Sequence, residues 1–228
     1  MSLSRSQALR TRLALTSELL RAETKRLLER PDLARLIPSH LVLLHQMCRA
    51  SVPLMETACR EARNASGDNI CPRLADYFAH HIDEERNHDT WTLEDLESIG
   101  LERSEILRLA PSANVASLVG AQYYWILHHH PIALLGYIAM LEGNAPSVAL
   151  IDDLRTRTGL PESAFRTLRL HAVVDPDHQA ALGILFDDLP IDDSHETLIA
   201  VSAAHTGASF AFCLAELQPW ARASRKSA

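Results

Sequence analysis

Two stretches of this 228-residue chain repeat one spacing of imidazole and carboxylate side chains. His81, Glu85 and His88 read H-x3-E-x2-H, and His171, Asp175 and His178 read H-x3-D-x2-H. On an α-helix, which turns about 100° per residue, offsets of 0, 4 and 7 stay within roughly 60° of one another. Each triplet is therefore expected on one face of one helix. At ~1.5 Å of rise per residue, a triplet spans about 10 Å along the helix axis. That is long for one ion and suits two ions about 3.5–4 Å apart, held between facing helices.

Composition agrees with a helical chain. Hydrophobic residues make up 47%, enough for one buried core, and we expect a single helical domain over residues 1–228. Aromatics are 5%, glycines number 8, and Leu, Ala, Arg and Glu dominate, which favours an all-α fold over a sheet. Lys and Arg total 22 against 29 Asp and Glu, for a net charge of −7. No basic stripe stands out, so nucleic acid is not an expected partner. Neither is a membrane: the longest apolar run, 131–141, falls short of the ~18 residues of a span. The basic stretch 5–30 alternates with Leu at helical spacing, and Glu18, Glu23 and Glu29 interrupt its charge. It reads as an amphipathic surface helix, not a targeting peptide, which makes the cytoplasm the expected compartment. Cys48, Cys59, Cys71 and Cys213 show no CxxC spacing and are expected as small buried residues.

Punctuation by Pro and Gly divides the chain into seven to nine helices. The first is expected over 4–29, ended by Pro31, and the second over 38–63, kinked at Pro53. The third, 72–100, carries the first triplet. A fourth follows Pro111, and the next runs from Pro131 to Glu142 and closes at Gly143. A short helix covers 147–157, and Pro161 opens the helix of the second triplet. The last, about 193–217, is introduced by Asp193 with Glu196 in a capping-box pattern.

The second triplet lies in LRLHAVVDPDHQAAL, apolar on most sides, so its helix is expected to be central. Buried His and Asp need partners, which a metal supplies together. Pro176 removes one backbone hydrogen bond within the triplet. In the first triplet, spacing selects Glu85 over Glu84, leaving Glu84 with Asp83, Arg86 and Asn87 on the solvated face. Glu142 continues the apolar face of Leu135, Ile138 and Ala139, near a helix C-terminus that disfavours a carboxylate, so a cation there would compensate. Glu56 is the candidate for a seventh ligand. His128, His129 and His130 point in different directions, and His40, His45, His195 and His205 lack matching carboxylates. Trp91, Tyr123, Tyr124, Trp125 and Tyr137 are candidates for a cavity wall, and Arg166 and Arg169 for a substrate carboxylate anchor.

In order along the chain, Glu85 and His88, then Glu142, then His171, Asp175 and His178 resemble the motifs of the haem-oxygenase-like di-iron oxidases. HHIDEERNHDTWTLEDLESIG and QYYWILHHHPIALLGYIAMLEG are similar to their iron-containing redox enzyme branch, and the similarity covers about 40–215. The resemblance implies a bundle of about seven core helices. It implies two Fe(II) ions held by Glu85, His88, Glu142, His171, Asp175 and His178, with dioxygen as co-substrate. Members include a medium-chain fatty-acid decarboxylase, N-oxygenases, enzymes that cleave amino-acid C–C bonds, and a self-sacrificing enzyme that needs a Lys near the metals. Here the only lysines are Lys25 and Lys226, neither in the site region. Six ligands are supplied without His81, so His81 is expected to support Glu85. Three carboxylates with three imidazoles suit iron or manganese more than zinc. The expected activity is oxidation of a small organic acid or amine, by decarboxylation, N-oxygenation or C–C cleavage. The expected state is a homodimer served by an external electron donor. The alternative is a metal-binding or regulatory protein of the same fold without catalysis.

Overall fold

The computed structural model describes residues 5–221. Among them are eleven α-helices and no strand. In chain order these are α1 (Arg5–Thr16), α2 (Glu18–Leu28), α3 (Leu33–Asn64), α4 (Cys71–Glu85), α5 (His88–Ser98), α6 (Arg103–Arg108), α7 (Ala113–His128), α8 (Leu134–Glu142), α9 (Val148–Thr158), α10 (Arg166–Asp188) and α11 (Asp193–Ala215). Short 3-10 turns lead into α8 and α10. The all-α bundle expected from composition is what the chain forms.

Several boundaries differ from the sequence reading. The first helix is two, broken at Ser17; its expected start at residue 4 lies outside the described residues. α3 begins at Leu33 and continues through both Pro38 and Pro53. The third helix is also two. Arg86 is extended (ψ 130°) and Asn87 left-handed (φ 74°), so the first triplet spans a break between α4 and α5. α10, by contrast, continues through Pro176. The capping box of α11 sits one residue earlier than expected. Asp192 accepts from the backbone N–H of His195, and the His195 ring accepts from that of Asp192.

The centre of the bundle is α8, not α10. Seven of its first eight residues are buried, as is Glu142, and a helix apolar on every side belongs inside. It lies against α11 so closely that a Cβ on Gly136 would meet the Ile199 carbonyl oxygen at 2.2 Å and the Ala203 nitrogen at 2.8 Å. α10 exposes Val173 and Ile184 and buries one face only. α11 is, by length and composition, apolar enough to cross a membrane, although Ser202, His205, Thr206 and Ser209 interrupt its apolar run. More than half of that stretch is buried, against α8, α2, α7 and α1. Apolar side chains form two clusters, one around α3, α4, α7, α8 and α11, the other joining the start of α3 to α5, α9 and the start of α10.

Candidate metal centre

Glu85 is the last residue of α4 and His88 the first of α5. The left-handed Asn87 between them turns the chain, so both side chains stay inside while Asp83, Arg86 and Asn87 face out. Asn adopts this region more readily than most residues, since its short polar side chain lowers the cost. The exit of α8 brings Glu142 to the same place, and α10 brings its own triplet. The result is a buried polar centre. His81, His88, Glu142, Asp175 and His178 are each less than a tenth exposed, and Glu85 and His171 are half-buried.

Two groups of converging donors share one residue. His81, Glu85, Glu142 and His178 form one group, and Glu85, His88 and His171 the other; within each, one donor atom per residue lies within 4.8 Å of all the rest. His81 Nε2 is 2.9 Å from Glu142 Oε1, and His178 Nδ1 is 3.4 Å from the same oxygen. His88 Nδ1 is 2.8 Å from Glu85 Oε2. Asp175 Oδ1 is 3.1 Å from His171 Nδ1 and 3.8 Å from His178 Nδ1. The rings of His81 and His178, and of His88 and His171, meet edge to face at 4.8 and 4.7 Å. Thus all six residues singled out from the sequence lie together, and His81 lies among them. His81 makes no bond to Glu85; its Nδ1 reaches Glu84 at 3.1 Å and its ring stacks on Tyr77. Glu84, expected on the solvated face, is exposed but also comes within 3.8 Å of His178.

Burial and close opposite charges shift the ionisation of these groups together. Burial alone would lower the pKa of His81, but the hydrogen bond and charge of Glu142, with the charge of Glu85, raise it. Burial is likewise outweighed at His171, which is pushed up to about 11 by its hydrogen bond to Asp175 and by the Cys48 thiol nearby. The Glu142 hydrogen bond raises His178. Burial would raise Glu85, yet the hydrogen bond from His88 and the charges of His88, His171 and His81 lower it. Burial raises Asp175, and His171 offsets only part of that. Buried atoms of the centre with no hydrogen-bond partner include His171 Nε2 and Glu142 Oε2. Such atoms rarely stay unpaired in a native protein. Oxygen and imidazole donors of this number fit iron or manganese.

Other expectations separate from the site. Glu56 is exposed and lines an outer groove with Arg60, Arg63 and Arg86. Tyr124 is 64% exposed, and Tyr123 and Trp125 pack at the edge of the larger core cluster. Trp91 packs on the His88 ring. Of the five aromatics only Tyr137 lines the cavity beside the cluster. Arg166 pairs with Glu94 and Asp95, and Arg169 with Asp152. Lys25 is exposed, and Lys226 lies outside the described residues. Three cysteines are buried, but Cys48 is half-buried and lines the cavity beside His171. A lone Cys in an apolar helix face carries no signal of such a place.

Asp68, Cys71 and His130 form a second cluster with a structural explanation. His130 Nδ1 accepts from the Ile132 backbone N–H, so its neutral ring carries the proton on Nε2 and donates it to Asp68 at 3.1 Å. Asp68 also accepts from the N–H groups of Ile70 and Cys71. The cluster ties the turn after α7 to the start of α4. Burial, with the Asp68 charge, pushes the Cys71 thiol up to about 11, which leaves it inert.

The sequence matches the iron-containing redox enzyme family over residues 73–222, and the chain belongs to that family. A search of curated proteins gave no match. Among solved structures, the fold is similar to a domain of unknown function with a heme oxygenase-like fold from Shewanella denitrificans OS217. That likeness has a TM-score of 0.70 and 15% identity, over 89% of this chain and 90% of that one. It is also similar to a TenA homolog from Pseudomonas syringae pv. tomato str. DC3000, with a TM-score of 0.65 and 11% identity over 92% and 90% of the two chains. At these identities the likeness establishes the heme oxygenase-like fold alone.

Proposed function

We propose that this chain is a dioxygen-dependent di-iron oxidoreductase acting on a small organic molecule. The observation that carries the reading is Glu85, common to both groups of converging donors. A carboxylate with two oxygens is the side chain that can bind two cations at once. In this reading His81, Glu142 and His178 complete one position, and His88 and His171 the other. Asp175 accepts a hydrogen bond from His171 Nδ1, which leaves the unpartnered Nε2 as the atom free to bind. Two ferrous ions, when bound, supply the electrons and open coordination positions that dioxygen activation requires.

The chain's own part is to hold the donors and to keep the site dry. His81, Glu85, Glu142, His171 and Asp175 line one cavity of about 330 Å³ whose other walls are mainly aliphatic. Such walls exclude water from the reacting atoms and strengthen the interactions among the charges there. The test is oxygen uptake by protein loaded anaerobically with ferrous ion. We expect at least one dioxygen consumed per loaded chain, and none by a Glu85→Ala variant. Protein that binds iron yet consumes no oxygen would favour a metal-binding or regulatory role.

A further inference from the structure

One outer face of the bundle carries no charge. α7 holds neither Asp, Glu, Lys nor Arg, and α11 holds none from Thr197 to Ala215. The two helices lie side by side and antiparallel: Gln122 bonds Ser202 and Thr206, and Asn114 bonds Glu216. On α7, Ala113, Ala116, Gly120, Tyr124 and Leu127 form one ridge at helical spacing, all of them exposed. On α11, Val201, Ala204, Ala208 and Phe212 form a second ridge, with Val201 and Phe212 about half exposed. Monomeric proteins seldom leave an apolar patch of this extent open to water.

Gly120 has no role within its own chain. Glycine weakens the middle of a helix relative to alanine. At Gly136 the neighbouring helix leaves no room for a Cβ, but at Gly120 a Cβ would meet nothing within 4 Å. The open space lies at the centre of the α7 ridge, where only something outside the chain can use it.

The face is complementary to itself. The α7 ridge has the same spacing on both sides of Gly120. An antiparallel copy laid face to face there sets Tyr124 on Ala116 and Leu127 on Ala113, large on small, with glycine at the closest approach. Gln122 sits beside Ser202 and Thr206, so Gly120, half a turn earlier, lies level with the middle of the α11 ridge. A two-fold axis running across both helices at that level therefore also sets Phe212 near Val201 of the copy, and Ala204 near Ala208. In such an interface every contact occurs twice. Helices about 24 and 34 Å long and ~10 Å wide present roughly 600 Å² in projection, and side-chain relief brings this near the ~800 Å² that each partner of a stable pair buries.

Charge selects the occupant. Each copy carries −7, so two copies meet at least electrostatic cost through a face without charge. A lipid surface is held by basic residues flanking the apolar ones, and neither ridge has any. We propose that the α7–α11 face is a homodimer interface, on which a second copy of this chain packs two-fold across Gly120. The inference rests on neither the metal centre nor the reaction.

The test is the mass of the purified full chain by sedimentation velocity at low and high micromolar concentration. The native protein is expected at twice the 25.3 kDa of one copy. Tyr124→Glu and Gly120→Leu each place the new side chain in open space, so both are expected to keep the helical circular dichroism. Both are expected to weaken association at least about tenfold. As a second measurement, Gly120→Cys is expected to cross-link to its own copy on mild oxidation. Leu107→Cys, exposed on α6, is not. A monomeric native protein, a dimer that both variants leave intact, or equal cross-linking at the two positions would overturn the proposal. So would a monomer that sediments with phosphatidylcholine vesicles, which would make the face a lipid surface.

Discussion

Glu85 stands where four imidazoles and a second carboxylate converge, and each neighbour was partly legible from spacing. The i, i+4, i+7 pattern brought His171, Asp175 and His178 to one side of α10. What spacing could not supply was each ring's partner. His81 lies one turn before Glu85 yet bonds Glu142, on a helix 61 positions away in the chain. On this geometry His81→Ala should lose one of two irons per chain by metal analysis; retention of both would return it to a supporting role. The raised pKa values of His81, His171 and His178 set a second expectation. Their folded values lie above the ordinary ~6.5, so in metal-free protein their contribution to stability is complete below that pH. It is lost as pH rises through the folded values, for His171 between 6.5 and about 11. Metal must displace these protons, so iron affinity should rise from pH 6 to pH 8 with proton release. Calorimetry in two buffers of different ionisation enthalpy measures that release, and pH-independent binding without it would contradict the assignment.

At the scale of elements, the breaks were the hidden part. DEERNH contains neither Pro nor Gly, and its one stop signal is Asn87, whose left-handed backbone separates α4 from α5. Conversely, Pro38 reads as a helix start, Pro53 as a kink within a helix and Pro176 as a local irregularity, and all three lie within continuous helices, where surrounding packing outweighs the loss of one backbone hydrogen bond. The centrality of α8 was readable in its uniform apolarity, which was instead credited to the helix of the second triplet. The contact between α8 and α11 gives a prediction. Gly136→Ala puts a Cβ against backbone atoms of Ile199 and Ala203 that cannot rotate away. Overpacking of this kind costs about 1–3 kcal/mol or more, a fall in Tm of roughly 3–10 °C for a chain of this size. Thermal unfolding of the variant measures it, and an unchanged Tm would mean that the two helices separate easily.

The whole molecule is a helical bundle that carries a buried polar centre bordering a mainly apolar cavity. Its carboxylates come from α4, α8 and α10 and its imidazoles from α4, α5 and α10, so no single segment forms it. Only the assembled fold sets Glu85 between two groups of donors, which a linear reading of two triplets could anticipate but not arrange. The most direct measurement is the Mössbauer spectrum of protein loaded with ⁵⁷Fe(II) and then oxidised, with iron counted per chain. The account predicts two irons in a magnetically coupled pair, reduced to at most one isolated iron in Glu85→Ala. A single iron per chain in the native protein, or two irons without coupling, would contradict it.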